Sequence, residues 1–145
     1  MQARKIAAAA AALIGLSACN PFTKMTGDQA ATRKLEGTWQ VLLVDGKKLE
    51  GERKPELVFD TRNNTVSGFD GCNRINGSFS FDKGLLKAKT VSTRMACTSD
   101  EARQASAAIA ELFAHGGEAV EMTMFGAHVV MIKNAKAEIR MGKTK

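Results

Sequence analysis

Apolar residues in this chain fall mostly into short alternating runs, interrupted once by a stretch with helical spacing. Trp39, Val41 and Leu43 alternate within Gly37–Val44, and Asp45-Gly46 supplies a turn, so this segment reads as a strand with those three side chains on one face. Leu57, Val58 and Phe59 lie between Glu56 and Asp60, and Thr61-Arg62-Asn63-Asn64 leads into Thr65–Phe69, the pattern of a hairpin. Phe79 and Phe81 share a face of Ser78–Phe81, after which Asp82-Lys83-Gly84 turns the chain into Leu85–Val91. The period then changes. Thr98-Ser99-Asp100-Glu101 fits a capping box, with Thr98 accepting from a backbone donor and Glu101 reaching back. Ala102, Ala105, Ala108, Ile109, Leu112 and Phe113 follow at helical spacing up to Gly116-Gly117, which predicts a helix over Ser99–His115. Three short runs remain, Ala119–Met124, His128–Lys133 and Glu138–Met141, and Val120, Met122 and Met124 share a face of the first. About eight strands and one long helix, joined by hairpin-length links, predict a mainly β chain (α+β). The expected architecture is a mostly antiparallel curved sheet or barrel with the helix packed on it.

The N-terminus follows different rules. Arg4 and Lys5 precede an apolar run from Ile6 to Leu16, followed by Ser17, Ala18 and Cys19, the layout of a secretory signal. That run falls well short of the roughly 20 residues a membrane-spanning helix needs. Leu16-Ser17-Ala18-Cys19 is similar to the lipobox of bacterial lipoproteins, in which the Cys thiol takes a diacylglyceryl group and becomes the new N-terminus. The alternative is an ordinary signal peptide with a coincidental cysteine. On the lipoprotein reading residues 1–18 are removed, residues 19–34 are a flexible lipid-anchored tether, and a folded domain spans 35–142. Asn20, rather than the Asp associated with inner-membrane retention, favours the periplasmic face of the outer membrane.

Charge changes the picture little. The net +6 loses Arg4 and Lys5 with the signal, and 6 − 2 leaves +4 on a chain that has no Tyr and no aromatic interleaving among its cations. Nucleic acid is therefore excluded as an expected partner, and a solvated basic surface is the reading. Cysteine usage changes it more. With Cys19 assigned to lipid, Cys72 and Cys97 remain as an even pair in an oxidising compartment, which suggests one disulfide. Closing a loop of about 25 residues adds roughly 3 kcal/mol by restricting the unfolded chain. Two free thiols are the alternative.

Gly68-Phe69-Asp70-Gly71-Cys72-Asn73-Arg74-Ile75-Asn76-Gly77 reads as a tight corner with positive φ angles rather than a regular strand. Within it, Asn73 is expected to cap the corner through side-chain hydrogen bonds. Thr93-Arg94-Met95-Ala96-Cys97 stands about twenty residues later, just before the helix. Together, Gly-x-x-Gly-Cys-Asn-x-x-x-Gly-x-Phe and Thr-x-Met-Ala-Cys resemble the META domain family, whose bacterial members include the heat-shock protein HslJ. The likeness rests on Gly68, Gly71, Cys72, Asn73, Gly77, Thr93, Met95 and Cys97 and runs on to about Gly142. It implies a small, cracked β-barrel with a helix against it, no established enzymatic activity, and links to heat shock and novobiocin tolerance. Related folds occur among lipoprotein pilots that bind lipid and assist outer-membrane secretins.

Residue chemistry points the same way. His115 suits a helix C-terminus, and either it or His128 could serve as base to a Cys97 nucleophile, but Cys97 already has a partner in Cys72. There is no Cys-x-x-Cys, no His pair at i, i+4, no acidic cluster and no phosphate-loop ending, so no catalytic residue, metal or cofactor is assigned. Met95, Met122, Met124, Met131 and Met141 either fill gaps in an aromatic-poor core or line an adaptable apolar cavity for an acyl chain. The resulting expectation is a monomeric, non-enzymatic envelope lipoprotein held to the membrane through Cys19 and serving tolerance of heat or antibiotic. The alternative is a pilot-like or chaperone-like module binding lipid or another envelope protein. A cell-wall hydrolase lacks a nameable carboxylate pair or nucleophile.

Overall fold

Trp39, Val41, Leu57, Phe59, Val66, Phe79 and Phe81 all turn to one side of a single curved sheet, where they are buried. The computed structural model describes residues 23–24 and 27–145. In chain order these form β1 (Thr23–Lys24), α1 (Asp28–Lys34), β2 (Gly37–Val44), β3 (Lys47–Lys48), β4 (Glu56–Asp60) and β5 (Thr65–Phe69). They continue as β6 (Arg74–Asp82), β7 (Leu85–Ser92), α2 (Asp100–His115), β8 (Gly117–Met124), β9 (Ala127–Lys133) and β10 (Glu138–Lys143). The signal, Cys19 and the first part of the expected tether lie outside the described residues.

All the strand pairings are antiparallel, and the path β8-β7-β6-β5-β4-β2-β10-β9 closes on itself through β8–β9. The sheet is thus a ring of hydrogen bonds, the expected α+β arrangement with mostly antiparallel strands and a helix packed on it. The ring is uneven. β6 and β7 pair along their whole length, whereas β7 meets β8 only at Leu85–Glu118 and Leu86–Gly117. Beyond that point β8 pairs instead with β1, through Lys24–Val120 and Thr23–Glu121. α2 packs beside β7, turning Ala105, Ala108, Ile109, Leu112 and Phe113 into the core.

Four details depart from the sequence expectation. In β2 the alternation slips: Val41 pairs Met141 and Leu43 pairs Arg140, so Leu42 is an extra residue and Val44, not Leu43, joins Trp39 and Val41 in the core. This is a β-bulge, which shifts the phase of a strand by one. The residues expected as tether contribute α1, in which Ala31 is buried, Asp28 accepts from the N–H groups of Lys83 and Gly84 (3.2 and 2.9 Å), and Lys34 pairs Glu121 at 2.8 Å. The folded head therefore begins by Asp28. The helix cap is Ser99 rather than Thr98, its hydroxyl accepting from Ala102 N–H at 3.0 Å. Last, β6 starts at Arg74, so the glycine-rich corner is shorter than expected and Gly77 lies inside a strand.

Met141 is fully buried in the main core, but Met122 and Met131 are not part of it. With Val120 and Val129 they form a second cluster on the opposite face of β8 and β9, and Met124 packs against it. The methionines thus do not line the interior of the ring as a set. Aromatic and branched side chains fill it, with Phe59 edge-on to Phe79 at 5.1 Å and the Trp39 indole N–H donating to the Leu35 carbonyl at 2.8 Å.

Candidate functional site

β5 delivers the chain to the corner, and glycine makes the delivery possible. Gly68 has φ 139°, and a Cβ there would run into the Glu56 carbonyl of the paired strand. Gly71, at φ 110°, lies over α2, where a Cβ would come within 2.9 Å of the Ala102 carbonyl oxygen. Between them sits Asp70, the one buried charged side chain among the described residues. Its Oδ1 accepts from the N–H groups of Cys72 (2.9 Å) and Asn73 (2.7 Å), while its own N–H donates to the Asn73 carbonyl at 2.9 Å. Oδ2 accepts from the Ser106 hydroxyl of α2 at 2.9 Å. One carboxylate therefore closes the turn and ties it to the helix.

Asn73 extends the network in the other direction. Its side-chain oxygen accepts from the Thr93 hydroxyl at 3.2 Å and from the Met95 N–H, and Thr93 Oγ1 in turn accepts from Arg74 N–H at 3.1 Å. Cys72 and Cys97 are joined as a disulfide, with Cα atoms 4.6 Å apart. The structure thus brings together seven of the eight motif residues: Gly68, Gly71, Cys72, Asn73, Thr93, Met95 and Cys97. Gly77 stands apart, in β6, where a Cβ would overlap the backbone of Lys89. Its absence of a side chain serves strand packing, not the corner.

A cavity of about 200 Å³ opens beside the disulfide. Leu49, Pro55, Phe69 and Met95 supply apolar wall, and the Arg53 guanidinium lies 3.8 Å from the centre of the Phe69 ring, a cation–π contact. Glu101, whose expected role was within a capping box, instead accepts from the N–H groups of Glu50 (2.7 Å) and Gly51 (2.8 Å). Those two bonds favour its ionised form and hold its pKa below the ordinary glutamate value. They also clamp the 49–53 segment over the first turn of α2.

A match to residues 29–144 of this chain is found with the family model of the META domain. The chain belongs to the META domain family. An NMR structure of a protein from Burkholderia xenovorans has the same fold, at a TM-score of 0.61 and 19% identity, covering 100% of this chain and 99% of that one. No curated protein sequence matches the chain. The matched span takes in α1 from its second residue, the corner, the disulfide and α2, so the whole constellation belongs to the META domain.

The remaining candidates of this META domain are placed elsewhere. His115 ends α2 and its Nδ1 lies 2.8 Å from Glu111 Oε2; a 16-residue helix puts it about 22 Å from the cap beside Cys97. His128 is the second residue of β9, its ring 5.8 Å from that of Trp39 and its Nε2 3.8 Å from Glu121. Neither imidazole is brought to the disulfide. Among the described residues no three His, Cys, Asp or Glu side chains gather as a metal site, and no helix is long and apolar enough to cross a membrane. Sequence reasoning missed Asp70 and Ser106. An Asp immediately ahead of a Gly-Cys-Asn segment is a signal for a side-chain-closed turn, and it was available; the Ser106 contact, 36 residues away, was not.

Proposed function

We propose that this META-domain protein is a non-enzymatic lipoprotein of the cell envelope, anchored through Cys19, whose head serves tolerance of heat or of an antibiotic such as novobiocin. The observation that carries the reading is the use made of the motif. Its carboxylate, carboxamide, hydroxyl and cysteine sulfur atoms are engaged in tying β5, β6 and the 93–97 segment to one another and, through Asp70 and Ser106, to α2, which suits a scaffold rather than a reaction centre. The Leu16–Cys19 segment supports attachment to the membrane, and Asn20 supports the periplasmic face of the outer membrane. Two acyl chains hold stably where one holds marginally, each buried methylene contributing about 0.8 kcal/mol.

The test has two arms. Cys19→Ala should move the protein from the membrane to the soluble fraction, and its retention would refute the anchor. Deleting the gene should lower survival under heat or novobiocin, with rescue by the wild type; unchanged survival under both would refute the stress role. A second reading, a module that binds lipid or an envelope protein, is favoured by the apolar cavity capped by Arg53 and Phe69. Uptake of fatty acid or a hydrophobic dye by delipidated protein tests its lipid form, and no uptake counts against it.

A further inference from the structure

The ring of strands leaves one backbone edge open. Beyond Leu86, no strand among the described residues pairs with the side of β7 that faces away from β6. The direction of its polar groups follows from the register. Thr93 N–H donates to the carbonyl of Arg74, the residue directly opposite it, at 3.1 Å. In an antiparallel pair such mutually bonded positions recur every second residue. Thr93, Val91, Lys89 and Lys87 therefore direct their N–H and C=O groups to β6, and Ala88, Thr90 and Ser92 direct theirs to the open edge. Buried or half-buried ladder groups of this kind are normally paired, and an open row of them is a template for another strand.

Space for that strand is present. A groove of about 750 Å³ opens at this edge, lined by residues 88–92 of β7, by Asn76 and Gly77 of β6 and by Ala110, Phe113 and Ala114 of α2. A smaller hollow of about 320 Å³ continues it past Ala88 and Phe113. The side chains on the outer face of β7 are Lys87, Lys89 and Val91, all exposed, and neither lysine has an ion pair among the described residues. An added strand thus meets two cations on its outer side and small apolar side chains on its inner side.

We propose that the free edge of β7 docks an extended acidic segment of another protein, taken up as a strand added along β7 over the groove that α2 borders. The pattern fixes the occupant's chemistry: Asp or Glu at alternate positions facing Lys87 and Lys89, and Val, Thr or Ala between them facing α2. The chain's own N-terminus does not qualify. Residues 1–22 contain no Asp or Glu. A second copy does not qualify either, because two-fold pairing of β7 with itself brings Lys87 and Lys89 of both copies onto one face as like charges. This partner class lies beyond the anchored-scaffold reading above and holds whether or not Cys19 is lipidated.

Fluorescence anisotropy on the full-length protein tests the proposal, with a labelled ten-residue peptide alternating Glu and Val as probe. A Lys/Val peptide and a Glu/Val peptide N-methylated throughout are the controls. The Glu/Val peptide should bind at least tenfold more tightly than either control. Thr90→Pro removes an outward N–H without touching the β6 ladder and should weaken binding at least tenfold with the Trp39 emission unchanged. Lys87→Glu with Lys89→Glu should do the same by charge alone, which keeps the test decisive where the proline variant does not fold. Equal binding of the N-methylated peptide, binding indifferent to Lys87→Glu/Lys89→Glu, no binding of any peptide, or self-association of the protein abolished by Thr90→Pro would each overturn it.

Discussion

Replacing both Cys72 and Cys97 with Ala should destabilise the head by about 3.5 kcal/mol. The disulfide closes a loop with a sequence separation of 25 residues. In the chain-entropy treatment that loop carries about 12 cal/mol/K of lost unfolded-state freedom, or about 3.5 kcal/mol at 25 °C. Two native-state effects modify the number in opposite directions. Cys72 is buried against Ala102 and Ala leaves a small void there, which adds to the loss. Thr93 and Met95 remain bonded to Asn73 without the bridge, which limits how far the 93–97 segment drifts. For a head of this size the shift corresponds to a fall in Tm of roughly 10–18 °C.

Trp39 makes the measurement direct. It is the chain's single tryptophan, fully buried and bonded to the Leu35 carbonyl, so its emission reports global unfolding in urea. The variant should show a lower urea midpoint and a steeper slope, because the uncrosslinked unfolded chain exposes more surface. Adding reductant to the wild type should reproduce the shift, and adding it to the variant should change nothing. A midpoint within 0.2 M of the wild type would refute the account of the bridge as the main restraint on this loop.

Other residues give independent tests. Asp70→Ala leaves the N–H groups of Cys72 and Asn73 and the Ser106 hydroxyl without their acceptor and should cost roughly 3 kcal/mol in urea unfolding, whereas Asp70→Asn, which retains an acceptor for both N–H groups, should cost clearly less. Phe59→Ala opens a void against Phe79 in the centre of the core and should cost about 3–5 kcal/mol by the same assay. Glu101 has its pKa lowered by the N–H groups of Glu50 and Gly51, so its contribution is present above the ordinary value of 4.5 and is lost as pH falls through the lower folded-state value. Glu101→Gln should therefore flatten the loss of stability below pH 4.5, read as Tm against pH; an unchanged acid limb would refute the assignment.

Much of the fold was legible because local pattern and burial agree. Gly37–Val44, Glu56–Asp60 and Thr65–Phe69 are observed with the expected limits, and α2 begins one residue later than expected. Where the reading slipped, a distant partner decided the outcome. The bulge at Leu42 is set by the register of β10, which lies a hundred residues downstream. α1 has seven residues and one buried side chain, too little periodicity to register, and depends on Lys83, Gly84 and Glu121 for its contacts. Thr98 and Ser99 are equivalent as caps in local chemistry, and Glu101 is drawn away to the 49–53 segment, which dissolves the expected capping box. The motif was legible as a set of residues but not as a mechanism of attachment, since Asp70 acts through a serine on another element.

The corner and the open edge are consequences of one choice in the sheet. β8 gives its flank first to β7 for two residues and then to β1, so β7 diverges beyond Leu86 and α2 packs beside it there. A helix cannot satisfy a strand's outward N–H and C=O groups, so a seam of this kind is held by side chains and covalent bonds rather than by a ladder. The structure places such ties at both ends of α2. At the N-terminus the Cys72–Cys97 bridge, Asp70–Ser106 and Glu101 with Glu50 and Gly51 bind the helix to the β5–β6 corner and the 49–53 segment. At the C-terminus Asn134 donates to Glu111 and to the Gly116 carbonyl, fixing the turn into β8. Between these ends α2 meets β7 through Phe113 and a row of alanines, and that stretch is where the groove lies. The clustering of the family's residues at one end of the helix follows from this: they hold in place an element whose middle is left free to face a ladder edge.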